Sequence, residues 1–386
     1  MSQRNICVVI TARPSYSRIK TALQAIIAHP KLNLQLVVAG SALLERYGSA
    51  VDYIEADGFT INAKVFMVLE GENATAMAKT TGLGVMELAN TFYNLKPDAV
   101  VTIADRFETL ATSIAASYQN IPLVHIQGGE VTGNIDEKVR HANSKLADIH
   151  LVASEDARER LIKMGEDEAM VFNTGCPSID LAAAVVKSST LDFNPITKYG
   201  GVGKAIDWNK GYVVVMQHPV TTEYAEAKAQ IVATLKAVDQ LQIPAFWFWP
   251  NVDAGADGTS KGIRTYRELQ QPHHIHFFKN MVPEDFLSLL YNSKCLIGNS
   301  SAGIRECAYL GIPVVNIGSR QHRRSRAANV LDVAHNVTAI TDGINTQLQR
   351  GSRLNSDTLY GDGTAGKKIA TILAEVPLRF HKTISY

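Results

Sequence analysis

The run His125-Ile126-Gln127-Gly128-Gly129-Glu130 sets an imidazole, a carboxamide, two glycines and a carboxylate at the end of an apolar stretch, with Asp136, Arg140 and His141 close behind. Carboxylates in different surroundings divide acid and base duties, and guanidinium groups and glycine-lined backbone bind anions. Proton transfer and anion binding concentrated in one place mark the chain as an enzyme. Asp105 and Glu130 end adjacent strands and form a carboxylate pair. Asp136 stands where a helix starts, a place that also suits a plain N-cap.

Other polar residues of the same kind follow other apolar runs. Arg13, Arg106 and Arg320 each stand just past a predicted strand, suited to a pyrophosphate. Gly298-Asn299-Ser300-Ser301-Ala302-Gly303 runs from a strand toward a predicted helix, where small residues, hydroxyls and free N–H groups hold phosphate or simply cap the helix. Glu306, three residues past Gly303, is placed to accept hydrogen bonds from a ribose or to be an ordinary first-turn acid. His218, fixed between Gln217 and Pro219 at another strand end, is a candidate phosphate donor or acid.

Positioning these groups requires strands that end at a common edge. Apolar, β-rich runs recur at Ile6–Ala12, Leu34–Ser41, Lys64–Leu69, Asp98–Ala104, Pro122–Gln127, Ile149–Ser154 and Val171–Gly175, alternating with helical patterns. The alternation breaks between about Lys187 and Lys210 and restarts with Tyr212–Gln217, Ala245–Trp249, Ile275–Phe278, Lys294–Gly298 and Pro313–Ile317. Continuously apolar strands alternating with helices predict two doubly wound α/β domains with parallel sheets, whose ligands bind at the carboxyl ends of the strands. Gly200 to Lys204 lacks phosphate-loop spacing and reads as a linker. His273, His274 and His276 have no accompanying carboxylates or thiols, so no metal or other cofactor is expected.

Length and charge narrow the class. The 386 residues suit two domains. With 38 Lys plus Arg against 37 Asp plus Glu, no overall charge favours nucleic acid or an acidic membrane surface. No apolar run is long enough to cross a bilayer, and the singly scattered Cys7, Cys176, Cys295 and Cys307 read as buried thiols, so a soluble, cytoplasmic protein is expected.

Arg13 with Ser17, Asp105-Arg106-Phe107, Gly128 to Glu137, Arg140-His141, Gln217 to Thr222, Pro250 to Gly255, Gly298 to Glu306, Asn316 to Gln321 and Tyr360 to Gly363 together resemble the hydrolysing UDP-N-acetylglucosamine 2-epimerases of sialic acid biosynthesis. The likeness is co-linear and spans nearly the whole chain. It implies a glycosyltransferase-B-like fold: a Rossmann-like domain over residues 1–190 with most acid/base groups, a nucleotide-binding one over 191–365, a cleft between them, and a helix in 366–386 crossing back. It also implies homodimers or homotetramers acting on a nucleotide sugar. UDP leaves across C1–C2 to give a 2-acetamidoglucal, and water adds to give N-acetylmannosamine. Asp105, Glu130 and Asp136 are then the acid/base candidates, oriented by Arg140. Arg13, Ser17, Arg106, His218 and Arg320 meet the diphosphate. Asn251, Ser300, Ser301, Gly303 and Glu306, with backbone near Val282, hold the nucleotide. Gln127 departs from the family, whose UDP-N-acetylglucosamine members carry Glu before the Gly-Gly pair. A carboxamide is no base, so Glu130 or Asp136 takes that duty or the substrate is a 2,4-diacetamido-2,4,6-trideoxyglucose carried by UDP or GDP. A retaining glycosyltransferase and a non-catalytic nucleotide-sugar sensor are the competing readings.

Overall fold

The computed structural model describes residues 3–45, 48–70, 74–131, 135–188, 190–250, 255–351 and 353–385. The chain folds as two compact units, Met1–Asp180 with Tyr360–Tyr386, and Leu181–Leu359. It passes from the first to the second inside the helix Pro177–Ser188, ahead of the Gly200 to Lys204 stretch.

In the first unit the strands are β1 (Arg4–Ile10), β2 (Leu32–Ala39), β3 (Ala63–Val65), β4 (Ala99–Ile103), β5 (Leu123–Ile126), β6 (Ile149–Val152) and β7 (Val171–Asn173). They form one parallel sheet in the order β3-β2-β1-β4-β5-β6-β7. The apolar run of β1 explains why both faces are covered. Ile6, Val8 and Ile10 enter a core shared with Leu23 and Ile26, while Cys7 and Val9 point the other way onto Leu88, Phe92 and Ala115. That is the period-two alternation of a strand with helices on both sides.

The chain returns to this unit at Tyr360. Ile369, Ala370 and Leu373 of the helix Ala365–Glu375 join the same core as Leu23. Arg4 ties the end of that helix to β1 by donating to the carbonyls of Leu373 and Val376 at 2.9 and 2.8 Å.

The second unit contains β8 (Val213–Met216), β9 (Ala245–Phe248), β10 (Ile275–Phe278), β11 (Leu296–Gly298), β12 (Val314–Ile317) and β13 (Val330–Val333), in the parallel order β10-β9-β8-β11-β12-β13. Phe246, Phe248 and Phe278 line one core, and Trp247, Ile275 and Phe277 the other. His276 accounts for the glycine-rich linker: its ring nitrogens meet the carbonyls of Lys204 and Gly200 at 3.0 and 2.8 Å, pinning that loop beside β10. β13 was not anticipated. It is a short edge strand, half-buried with Asp332 exposed, so the apolar signal that identifies the inner strands is missing.

Sequence order reverses between β1 and β4 in one sheet and between β8 and β11 in the other. Helices on either side of such a point diverge and leave a crevice at the strands' carboxyl ends. Among the described residues no helix is long and apolar enough to cross a membrane. The four cysteines are free and buried, and burial pushes the Cys7 and Cys295 thiols up to about 12.

A buried ionic cluster closes one side of the first unit. The Glu166 carboxylate accepts from Lys145 at 2.7 Å, from His150 Nε2 at 2.9 Å, and from Lys382. Burial alone would raise its carboxyl, but these hydrogen bonds outweigh it and hold it at about 2 against an ordinary 4.5.

Two outcomes follow from this packing. Leu373→Ala lowers the unfolding free energy by about 2–5 kcal/mol in denaturant titration; a loss under about 1 kcal/mol would mean the returning helix is not part of the core. The Glu166 contribution is fully present above about pH 4.5 and is lost as pH falls toward 2. Acid titration of Glu166→Gln therefore gives a protein less stable near neutrality, with a flatter stability profile across that window; parallel profiles would reject the assignment.

Candidate active site

The switch point of the first sheet gathers the acid and base candidates. Arg140, fully buried on the helix Ile135–Leu146, pairs with the Asp105 carboxylate beyond β4 and donates through Nη1 to the Glu130 carbonyl beyond β5 at 2.9 Å. One guanidinium thus joins two strand ends to a helix. A buried guanidinium without partners would be very costly, so the three elements stay together. Asp105 keeps partial access to solvent, with 15% of its side chain exposed, whereas Glu130 is buried. Asp136 and Glu137 lie in the first turn of the same helix, and His141 meets Glu137 at 3.5 Å.

Backbone geometry aims these groups. Ala104 and Gln127, the residues after β4 and β5, have φ values of +62° and +64°, a region that non-glycine residues enter at a cost the surroundings must offset. At Ala104 the surroundings are visible. His125 Nε2–H donates to the Ala104 carbonyl at 2.8 Å, leaving Nδ1 to accept from the Ser144 hydroxyl at 3.0 Å. Burial pushes the His125 imidazole down to about 3, so it stays neutral. Asn143, fully buried, bridges Thr109 Oγ1 at 2.7 Å and the Ser113 hydroxyl at 2.8 Å beside the same turn. At Gln127 the carboxamide donates to the Cys176 sulfur at 2.9 Å, and its buried oxygen has no hydrogen-bond partner among the described residues. Gly129 permits the close turn, because a Cβ there would lie 2.3 Å from the Ala157 carbonyl oxygen.

The cationic candidates of this unit are held in different ways. Arg106 pairs with buried Glu108 at 3.3 Å, and Glu108 accepts from the Ser41 hydroxyl, which stands 3.0 Å from the Thr11 carbonyl at the end of β1. The Arg13 guanidinium lies 5.5 Å from the Tyr53 ring centre, and burial lowers its pKa. Ser17, in the same short helix Arg13–Ser17, donates to the Pro14 carbonyl at 3.1 Å, so its proton is directed into its own turn.

In the second unit the switch point is organised by Asn299, fully buried after β11. It accepts from the His218 amide at 2.8 Å and donates back to the His218 carbonyl at 2.9 Å, while its own carbonyl accepts from Arg320 at 3.2 Å and Gln321 at 2.8 Å. His218, Asn299 and Arg320 are thereby brought together from three strand ends. Gly298 is required for that approach, since a Cβ would stand 2.1 Å from the Met216 carbonyl oxygen of β8.

The run from Gly298 to Glu306 is less regular than expected. The helix Ser301–Ile304 is only four residues long and stops at Arg305, whose ψ of −70° is followed by a second short helix, Glu306–Leu310. So short a helix offers little dipole to an anion. Ser300 caps it by accepting from the Ala302 amide at 3.3 Å, and Ser301 is its first residue. Gly303 makes room for Val314 and Leu296, which a Cβ would approach to 2.9 and 3.3 Å. Glu306 keeps a buried carboxylate oxygen, Oε2, without a hydrogen-bond partner among the described residues. Val282 donates its amide to the Tyr199 hydroxyl at 3.4 Å. Asn251 lies outside the described residues.

Sequence reasoning missed Glu108, His125 as a holder of the Ala104 turn, Asn143 and Asn299. Asn299 was legible only as part of a small-residue run, and the others only as ordinary polar residues of a loop, a strand and an amphipathic helix. Among the described residues no group of three or more His, Cys, Asp or Glu side chains is arranged to hold a metal ion.

The family model described as UDP-N-acetylglucosamine 2-epimerase matches residues 24–374. A Legionella pneumophila UDP-N,N'-diacetylbacillosamine 2-epimerase (hydrolyzing) is 34% identical over 376 residues, covering 97% of each chain. A Neisseria meningitidis UDP-N-acetylglucosamine 2-epimerase is 30% identical over 363 residues, covering 94% of this chain and 92% of its own. The crystal structure of a UDP-GlcNAc 2-epimerase from N. meningitidis bound to UDP-GlcNAc superposes with a TM-score of 0.80 at 18% identity, covering 96% of this chain and 99% of that one, and shows the shared glycosyltransferase-B-like fold. With its two parallel-sheet units and a family match over most of its length, this chain belongs to the UDP-N-acetylglucosamine 2-epimerase family.

Proposed function

We propose that the chain is a hydrolysing 2-epimerase of a UDP-linked 2-acetamido sugar, with a 2,4-diacetamido-2,4,6-trideoxy sugar as its substrate. The observation that carries this reading is the Arg140 bridge between the Asp105 carboxylate and the Glu130 carbonyl, with Asp136 one turn away on the same helix. It fixes the Asp105 carboxylate and the Glu130 backbone on one buried cation, with Asp136 on the same helix. Removing a weakly acidic C2 proton and returning one to the opposite face calls for two acid/base groups in different settings. A base takes the C2 proton, the C1–O bond to the diphosphate breaks, and UDP leaves a C1=C2 alkene. Water then adds its hydroxyl to C1 while a proton reaches C2 from the other face.

Asp105 and Asp136 serve as the acid/base pair, with Glu130 as the third carboxylate. Arg140 orients Asp105 through their ion pair. His218, Arg13, Arg106 and Arg320 supply positive charge or donors to the departing diphosphate, and Ser17 joins them by turning its proton away from Pro14. Ser300, Ser301 and Glu306 hold the nucleoside, the free Glu306 oxygen suiting a ribose hydroxyl.

The diacetamido substrate is supported by the 34% identity to the L. pneumophila enzyme over 97% of both chains and by Gln127. Held by Cys176, that carboxamide offers a hydrogen-bonding oxygen and no basicity. UDP-N-acetylglucosamine, the substrate in the name of the N. meningitidis relative at 30% identity, is the second reading.

Proton NMR in deuterated water decides between them. The expected result is UDP release from the UDP-linked 2,4-diacetamido sugar, with deuterium at C2 of an inverted product; release from UDP-N-acetylglucosamine alone selects the second reading. No UDP without an added acceptor points instead to a glycosyltransferase, and binding without turnover to a sensor. In Asp105→Asn, kcat drops about 100- to 10,000-fold, while UDP affinity by calorimetry stays within about threefold; undiminished turnover would remove Asp105 from the chemistry.

A further inference from the structure

The segment that follows the helix Ala365–Glu375 does not trail into solvent. Ser385 donates its amide to the Gly165 carbonyl at 3.0 Å, and a Cβ on Gly165 would meet Ile384 at 2.8 Å. Just ahead of these anchors Lys382 turns inward, with 23% of its side chain exposed. Its ammonium donates to the carbonyls of Ser144, Lys145 and Ala147 at 3.0, 3.0 and 2.6 Å, and pairs with Glu166. Two of those carbonyls belong to the last turn of the helix Ile135–Leu146 and the third lies just beyond it, where orphan acceptors and the negative end of the helix dipole favour a cation.

That helix is the one that carries Asp136 and Arg140. Its last two turns also carry Asn143 and Ser144, which hold the turn at Ala104 directly and through His125. The helix is thus fixed at its far end by Lys382 and in its middle by Arg140, with the Asp105 turn gripped between. A slide along its axis moves Arg140 and Asp105 together. Misplacement of reacting groups by about 1 Å costs rate far more than ground-state affinity.

We propose that Lys382 is a positioning residue of the active site: its ammonium locks the carboxyl end of the helix Ile135–Leu146 and so fixes Arg140 and Asp105. The assignment of kcat to that pair rests on the proposed epimerase function. The locking itself does not.

The test compares Lys382→Met, Lys382→Arg and a chain ended at Arg379 with the unaltered protein, after circular dichroism confirms folding. UDP release is measured from both candidate sugars, and amide hydrogen exchange over residues 135–147. Lys382→Met and the shortened chain are expected to lose about tenfold in kcat with KM within about threefold, and to exchange at least tenfold faster at residues 143–147. Lys382→Arg, which keeps a cation, restores most of both. Unchanged kcat with unchanged exchange overturns the proposal, as does a lowered melting temperature with kcat intact. If the unaltered protein releases UDP from neither sugar, the epimerase reading fails, while the exchange data still decide whether Lys382 locks the helix.

Discussion

Much of the first unit's architecture is constrained by the position of one buried guanidinium. Arg140 has almost no contact with solvent, and a charge so placed is tolerated only where its hydrogen bonds are met by the protein. Its partners come from the loop after β4 and the loop after β5. Those loops must therefore end at fixed places, and the unusual backbone at Ala104 and Gln127 is how they do so. At Ala104 the strain is balanced by neutral, fully buried groups, His125 and Asn143, rather than by further charges. Neutral partners hold the Ala104 carbonyl without competing with Arg140 for Asp105.

The second unit solves a comparable problem without an ion pair at its centre. Asn299 clasps the His218 backbone in both directions and offers its own carbonyl to Arg320 and Gln321. A carboxamide suits that task because it donates and accepts at once and carries no charge to desolvate. The absence of a Cβ at Gly298 lets β11 approach β8 closely enough for the clasp to close. The two switch points thus share a topology while differing in what fixes them, a salt bridge in one and an amide clasp in the other.

The fold was legible because its signal is repetitive. Each inner strand is buried on both faces, so the apolar runs announce themselves, and the polar residues after them fall at a common edge by topology. β13 escaped notice because it is an edge strand whose residues are mostly half-exposed. The site was legible in its charged members, Asp105, Glu130, Asp136 and Arg140, and much less so in what holds them. His125 reads as an imidazole of the run before the Gly-Gly pair, with nothing to show that it holds Ala104, Asn143 as a polar position on an amphipathic helix, and Lys382 as a surface lysine about 240 positions from its carbonyl partners. Their roles arise from tertiary pairing, which no local pattern encodes. The helix expected after Ser300 forms but is short: the capping signal is genuine, and Arg305 breaks the helix after four residues.

Gln127 shows how a single side chain is tied to the scaffold around it. Its backbone is fixed by the left-handed turn after β5, and its amide nitrogen is committed to the Cys176 sulfur. Cys176 is itself held through its amide by the Tyr360 carbonyl at 2.7 Å, in the segment where the chain re-enters this unit. A glutamate in the same rotamer would bring a negative charge into a buried position beside that sulfur, at a cost in desolvation. The sulfur suits the carboxamide, and the proton chemistry we propose rests on Asp105, Glu130 and Asp136 instead. Gln127 and Cys176 are thus joined, through one hydrogen bond, to the segment where the chain returns to this unit.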